Sequence, residues 1–170
     1  MPLAGRSHIL LILGQGLLIV VVFGAVAILT RASRRQLGAA VLGALAAGTV
    51  NLGLDVLAFA WRFWRYPETT TPFGPLVYYV EAGLGCAAIA LVAVWLGRRF
   101  GPRGPIILVT ASAIYLPVRD YLTSTTTHLI EFRYSPLVIV ADSLFEMVIP
   151  VLVAYALIRA ATRGHRERPA

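Results

Sequence analysis

The chain contains no lysine, so all fifteen of its basic residues are arginine. Charge of either sign is scarce: 14% of residues are charged, against about 25% in a soluble domain. That shortage excludes an ordinary water-facing surface. The single cysteine, Cys86, excludes an internal disulfide, and inside an apolar run it reads as a small packing residue. Three histidines, His8, His128 and His165, lack the spacing of metal ligands, so no metal is expected. No Gly-rich phosphate loop, cysteine pair or serine-nucleophile motif occurs, and no cofactor is implied. An Asp-rich diphosphate-binding run of the DDxxD kind is also missing, which argues against ionisation of a prenyl diphosphate.

What the chain has instead is apolar length. Hydrophobic residues make up 58% of it, and five runs are each long enough to cross a bilayer, which takes roughly 20 residues, so about five transmembrane helices are expected. They are His8–Leu29, Leu37–Ala60, Leu76–Leu96, Pro105–Leu122 and Leu137–Ile158. The expected fold is an all-α integral membrane protein, with residues 1–170 forming one helical domain and no separate soluble part. The first run exceeds the roughly 7–15 apolar residues of a signal peptide, so it is expected to remain as helix 1. Its Gly14 and Gly16 would permit close helix approach. His8 suits an interfacial position.

The net charge of +7 does not indicate a nucleic-acid partner, because the arginines cluster at helix ends. Arg31, Arg34 and Arg35 follow helix 1; Arg98, Arg99 and Arg103 follow helix 3; Arg159, Arg163, Arg166 and Arg168 follow helix 5. Positively charged alternate loops belong in the cytoplasm. The N-terminus is therefore expected outside and the C-terminus inside. The expected location is a plasma membrane of bacterial type, with the lipid bilayer as the general partner.

The central stretch is Asp55 to Glu81, an acid near the end of one apolar helix, an aromatic turn and a second acid in the next helix. A looser copy runs from Asp120 to Asp142. Arg65-Tyr66-Pro67 matches Arg133-Tyr134-Ser135-Pro136, and Pro75-Leu76-Val77 matches Pro136-Leu137-Val138. An acid stands six residues after each of those helix-starting prolines, Glu81 and Asp142. Helices 2–3 and 4–5 thus read as a parallel internal repeat, about residues 37–99 and 104–163.

Intramembrane acids are costly, and such residues face a bundle interior or a wet cavity. Asn51 and Asp55 lie one turn apart on one helical face. Glu81 lies roughly 9 Å below Pro75 at the usual helical rise, a depth similar to that of Asp55, so the two can meet. Asp120 and Asp142 would join them by the repeat, and Glu146 shares a face with Asp142. Aromatics frame these acids: Trp61, Phe63, Trp64 and Tyr66 before helix 3, Tyr78 and Tyr79 at its start, and Tyr134 in the second copy. An interfacial aromatic belt accounts for the loop rings; a pocket wall for a cation is the sharper alternative. Pro75 suits the first position of helix 3, and Pro150 is expected to kink helix 5.

Crowded carboxyl groups in a medium of low dielectric cannot all ionise. Together they can give a proton to an alkene or epoxide and take one back, while aromatic faces shelter the carbocation between. Asp55, Glu81, Asp142 and Asp120 are the candidate acids and bases. Asn51, Trp61, Trp64, Tyr66, Tyr78, Tyr79, Tyr134 and Glu146 are candidate substrate contacts.

Asn51-Leu52-Gly53-Leu54-Asp55 resembles a catalytic-acid helix of the membrane-integral terpene cyclases, the fungal meroterpenoid and indole-diterpene cyclases and their bacterial relatives. Arg62-Phe63-Trp64-Arg65-Tyr66-Pro67-Glu68 and Gly74-Pro75-Leu76-Val77 resemble that family's aromatic-Trp-Pro-Glu turn and Pro-Leu-Val helix start. The likeness spans about a third of the chain. It implies acid-initiated cyclisation of a prenylated lipid, with Asp55 as proton donor. The fungal enzymes have seven helices where this chain supports five, and their second acid lies deeper than Glu81. The small heterodimeric carotenoid (lycopene) cyclases are similar in size, but their Pro-x-Glu-Glu motif is missing here. Buried acids on repeated helices equally suit a non-catalytic lipid-binding or proton-coupled transport module, or a structural subunit of a larger membrane complex.

Overall fold

The computed structural model describes residues 3–65, 76–127, 131–132 and 136–163, with side chains omitted at 3–13, 15, 64–65, 115–117, 119–120, 122–127, 131–132, 136, 138–139, 142–143 and 163. Five helices account for most of it: α1 (Leu3–Leu29), α2 (Arg34–Ala60), α3 (Leu76–Phe100), α4 (Arg103–Thr127) and α5 (Pro136–Arg163). Two short strands, β1 (Trp64–Arg65) and β2 (Glu131–Phe132), pair antiparallel, with Trp64 opposite Phe132 and Arg65 opposite Glu131.

The all-helical class and the helix order are as the apolar runs imply. The helices extend further at their arginine ends, because Arg34, Arg98, Arg99 and Arg103 continue the helical backbone beyond the hydrophobic stretch. Arginine is a good helix former, and hydropathy is blind to helix that emerges from hydrocarbon. Among the described residues three segments are long and apolar enough to cross a membrane: Arg34–Ala60, Leu76–Phe100 and Leu144–Thr162. Gly16–Leu29 within α1 and Arg103–Ile114 within α4 are shorter apolar stretches. α5 runs through Pro150, which is buried, from Pro136 to Arg163. Pro75 lies outside the described residues.

Local chemistry sets the turn between α1 and α2. Arg31 takes a left-handed backbone (φ 50), and its N–H donates to the Ile28 carbonyl at 3.0 Å. The Ala32 N–H donates to the Ala27 carbonyl at 3.0 Å, completing a double C-terminal cap of the kind usually closed by glycine. Ser33 then starts α2 through a reciprocal box: its Oγ accepts from the Gln36 N–H at 3.3 Å, and Gln36 Oε1 accepts from the Ser33 N–H at 3.0 Å. Gln36 also donates from Nε2 to Thr162 Oγ1 at 3.4 Å, which ties the start of α2 to the end of α5. The C-terminus of α2 repeats the double cap at Arg62 (φ 60), with Arg62 N–H to Phe59 and Phe63 N–H to Ala58.

Packing is carried by small residues. The buried face of α2 is Gln36, Ala39, Ala40, Gly43, Ala44, Ala47, Gly48, Asn51, Asp55 and Ala58, a helical stripe of three- and four-residue steps. α3, which packs against α2, buries Tyr79, Gly83, Cys86, Ala87, Ala88, Ala90, Leu91, Ala93 and Val94. A Cβ on Gly48 would lie 2.5 Å from the Tyr79 carbonyl oxygen, and one on Gly83 would overlap the Ala44 carbonyl. The two helices therefore meet backbone to backbone, as small residues allow in a membrane. α5 packs against α2 at Gly43, where an added Cβ would lie 3.1 Å from Ala154 Cα. α1 packs against α3, and α4 against α3 and α5.

Candidate functional site

The small-residue stripe of α2 turns polar near its C-terminal end. Asn51 and Asp55 continue the buried face at 9% and 4% exposure. Close approach at Gly48 brings the start of α3 against this end, so that Tyr79, itself buried, donates its hydroxyl to Oδ2 of Asp55. The Tyr79 ring packs edge-on against Tyr78 at 5.5 Å between centroids and 81° between planes. Asn51 Oδ1 is buried without a hydrogen-bond partner, an arrangement that costs about 1–3 kcal/mol.

Glu81 takes a different direction. Positions 79 and 81 lie about 200° apart around a helix, so a helix that presents Tyr79 to α2 turns Glu81 away from it. The Glu81 carboxyl is set against α1, with Oε1 2.9 Å from a Cβ built at Gly16. That oxygen is buried and has no hydrogen-bond partner among the described residues. Asp55 and Glu81, expected to meet, are thus presented to different neighbours across α3.

The other candidates are placed as follows. Trp61 caps α2, is 62% exposed and stacks edge-on against Phe63 at 5.7 Å and 63°. Tyr78 is exposed at the start of α3, and Glu146 is half-buried in α5. The side chains of Asp120, Asp142 and Trp64, and all of Tyr66 and Tyr134, lie outside the described residues. The β1–β2 pairing nevertheless joins the α2–α3 connection to the α4–α5 connection at the Trp64–Phe132 position. Among the described residues no group of His, Cys, Asp or Glu could hold a metal ion.

Two contacts were not legible in the sequence. Tyr79, a candidate substrate contact, donates its hydroxyl to Asp55. Gly16 was assigned to helix packing together with Gly14. In the fold Gly16 abuts a carboxyl, whereas a Cβ at Gly14 would meet nothing within 4 Å. The spacing of Tyr79, Gly83, Ala87, Ala90 and Val94 carries the signal for the first: Tyr79 falls on the small-residue stripe of α3 and Glu81 does not.

No family model matches this chain, and no match was found to a curated protein or to a solved structure.

Proposed function

We propose that this protein is a membrane-embedded terpene cyclase that starts ring closure of a polyprenyl or epoxy-prenyl lipid by protonation. The observation that carries this reading is the Asp55–Tyr79 pair, buried where α2 and α3 meet. In this reading Asp55 carries a proton on Oδ1, while its Oδ2 accepts from the Tyr79 phenol. Asp55 transfers that proton to an alkene carbon or epoxide oxygen of the substrate. The charge then left on the carboxylate is stabilised at Oδ2 by the hydrogen bond Tyr79 already makes. The substrate cation is quenched as its own double bonds attack it, and the last cation loses a proton to a second carboxylate. Glu81, Asp142 and Glu146 are the candidates for that step. Tyr78 and Trp61 supply ring faces for the cation. The product has the mass of the substrate, because one proton enters and one leaves.

The same proposal places the chain in a plasma membrane of bacterial type, with five crossings, the N-terminus outside and the C-terminus inside. The two helix hairpins are related by a pseudo-two-fold axis along the membrane normal. The strand register supports this relation. Aligning Arg65 with Arg133 makes Phe132 the repeat counterpart of Trp64, and these two residues face each other, as at a two-fold axis.

A proton-coupled carrier needs polar groups from one side to the other. Between Gln36 and Asn51 every buried residue of α2 is alanine or glycine, a span of about 22 Å at the helical rise. That favours a pocket open to one side, and hence an enzyme or a lipid-binding module.

The test uses membranes containing the wild type, Asp55→Asn or Tyr79→Phe, supplied with plain and epoxidised polyprenyl lipids. A product of unchanged mass and shifted retention, abolished by Asp55→Asn, is expected. If no lipid is isomerised by the wild type, the cyclase reading fails.

A further inference from the structure

Positive charge gathers at the corner where α3 ends and α4 begins. The corner is closed by Gly101 in a left-handed backbone (φ 65), and the Gly104 N–H donates to the Gly101 carbonyl at 3.3 Å. A Cβ on Gly104 would lie 2.7 Å from Leu96, so the first turn of α4 is packed onto the last turns of α3. Arg98, Arg99 and Arg103 are brought together by this turn, and all three are exposed. Among the described residues no carboxylate stands beside them: on α3 itself, Glu81 lies about 25 Å from Arg98 at the helical rise. Two rings hold one of the guanidiniums, with Arg99 Cζ 5.6 Å from the Trp95 centroid and 5.7 Å from that of Phe100. A cation held over ring faces spends none of its N–H donors, which stay open to an oxyanion. Arg103 precedes Ile106 and Ile107 by three and four positions, hence on one side of α4, and both isoleucines are exposed. Phe100 is exposed as well. Each helix of the corner thus sets an arginine next to apolar surface.

We propose that the α3–α4 corner binds an anionic phospholipid, its phosphate held by Arg98, Arg99 and Arg103 and its acyl chain laid along Phe100, Ile106 and Ile107. Guanidinium groups match the oxygens of a phosphate in pairs. The apolar side chains decide between anions. A soluble phosphate or a nucleic acid would use the charge and leave Phe100 and the two isoleucines uncovered, whereas a phospholipid carries charge and chain in the same order as the corner does. α3 is long and apolar enough to cross a membrane, so its arginine end lies at headgroup depth. The site is at the opposite end of α3 from Tyr79 and does not rest on the cyclase reading.

The test is made on the full chain in lipid nanodiscs, whose two faces are alike, so that the direction of insertion has no effect. In a Trp61→Phe, Trp64→Phe background Trp95 is the one remaining tryptophan. The nanodiscs hold phosphatidylcholine with a small fraction of chain-brominated lipid, either phosphatidylglycerol or phosphatidylcholine, and quenching of Trp95 reports which lipid sits at the corner. Brominated phosphatidylglycerol is expected to quench more strongly. Arg99→Gln should lower that preference about fivefold, the share of one basic residue near an anionic surface. The triple variant Arg98→Gln, Arg99→Gln, Arg103→Gln should abolish it, whereas Arg34→Gln with Arg35→Gln, at the α1–α2 turn, should leave it in place. Should the tryptophan background fail to fold, the phosphatidylglycerol retained by the otherwise native chain and by the triple variant in native mass spectrometry decides. Equal quenching by the two lipids, or a preference that survives the triple variant, overturns the proposal. Loss of the preference in the Arg34 and Arg35 variant would assign it to the charge of the whole end and remove the corner. Reversal by soluble glycerol phosphate would make this a site for a free anion and overturn the lipid assignment.

Discussion

The Tyr79 hydroxyl on α3 donates to Oδ2 of Asp55 on α2, and both side chains are buried. The pair joins two helices that approach closely at Gly48 and Gly83. It therefore has one consequence for stability and another for chemistry. Removing the phenol leaves a buried carboxyl oxygen without this donor, at a cost of about 1–3 kcal/mol.

Tyr79→Phe should accordingly lower resistance to denaturation in detergent by that amount while the helical signal of the folded state persists. In the cyclase assay the same variant should slow conversion by about 10²-fold, the usual effect of losing one donor to a developing anion. Asp55→Asn should abolish conversion. Unchanged stability in Tyr79→Phe would show that the bond contributes nothing in the membrane.

The glycines of α2 and α3 make a sharper comparison, because their surroundings differ. A Cβ on Gly83 would overlap the Ala44 carbonyl, whereas one on Gly53 would meet nothing within 4 Å. Gly83→Ala must push the helices apart and should destabilise by about 1–3 kcal/mol or more. Gly53→Ala sits in open helix and should stabilise by up to about 1 kcal/mol, since glycine is the poorer helix former. Unfolding both variants in a denaturing-detergent titration separates the two effects. Equal responses would mean that the α2–α3 contact is not backbone to backbone.

These contrasts mark what can be read from residue order. Apolar length alone located all five helices, because hydrocarbon demands long uninterrupted runs. Asn51 and Asp55 were legible as a buried pair for the same reason: a polar face one turn long stands out in an apolar helix. The partner of Asp55 was not. Tyr79 lies 24 positions away, and its pairing depends on the rotation of α3 about its own axis. That rotation is set by the small residues Gly83, Ala87 and Ala90, not by the acids. Matching depth suggested that Glu81 meets Asp55; helical phase turns it toward α1. Depth is one coordinate and phase another, and a carboxyl-by-carboxyl reading supplies only the first.

A separate prediction concerns the polar link at the other end of the bundle. Gln36 closes the Ser33 capping box and also reaches Thr162 at 3.4 Å. Ser33→Ala should cost about 1 kcal/mol through the cap alone. Gln36→Leu should cost more, because it opens the cap and also severs α2 from α5. A double-mutant cycle between Gln36 and Thr162→Val should return a coupling of about 0.5–1.5 kcal/mol. Strictly additive effects would reduce Gln36 to a local helix cap.

The arginines allow the orientation of the chain to be tested directly. Arg31, Arg34, Arg35, Arg98, Arg99, Arg103 and Arg159 are all exposed, and they stand where α1 and α3 end, α2 and α4 begin and α5 finishes. The antiparallel contacts Gly83 to Ala44 and Gln36 to Thr162 set those ends on one side of the bundle. The described acids Asp55, Glu81 and Glu146 lie away from that end. Such a one-sided arginine distribution is retained in the cytoplasm. In a Cys86→Ala background, which removes the one native thiol, Arg34→Cys and Pro102→Cys should react with an impermeant thiol reagent only after the membrane is opened. Trp61→Cys, at the exposed C-terminal cap of α2, should react in intact cells. If Arg34→Cys reacts in intact cells and Trp61→Cys does not, the chain is inverted. Asp55 and Tyr79 would then lie toward the cytoplasmic side, and a substrate supplied from that side would have to be considered.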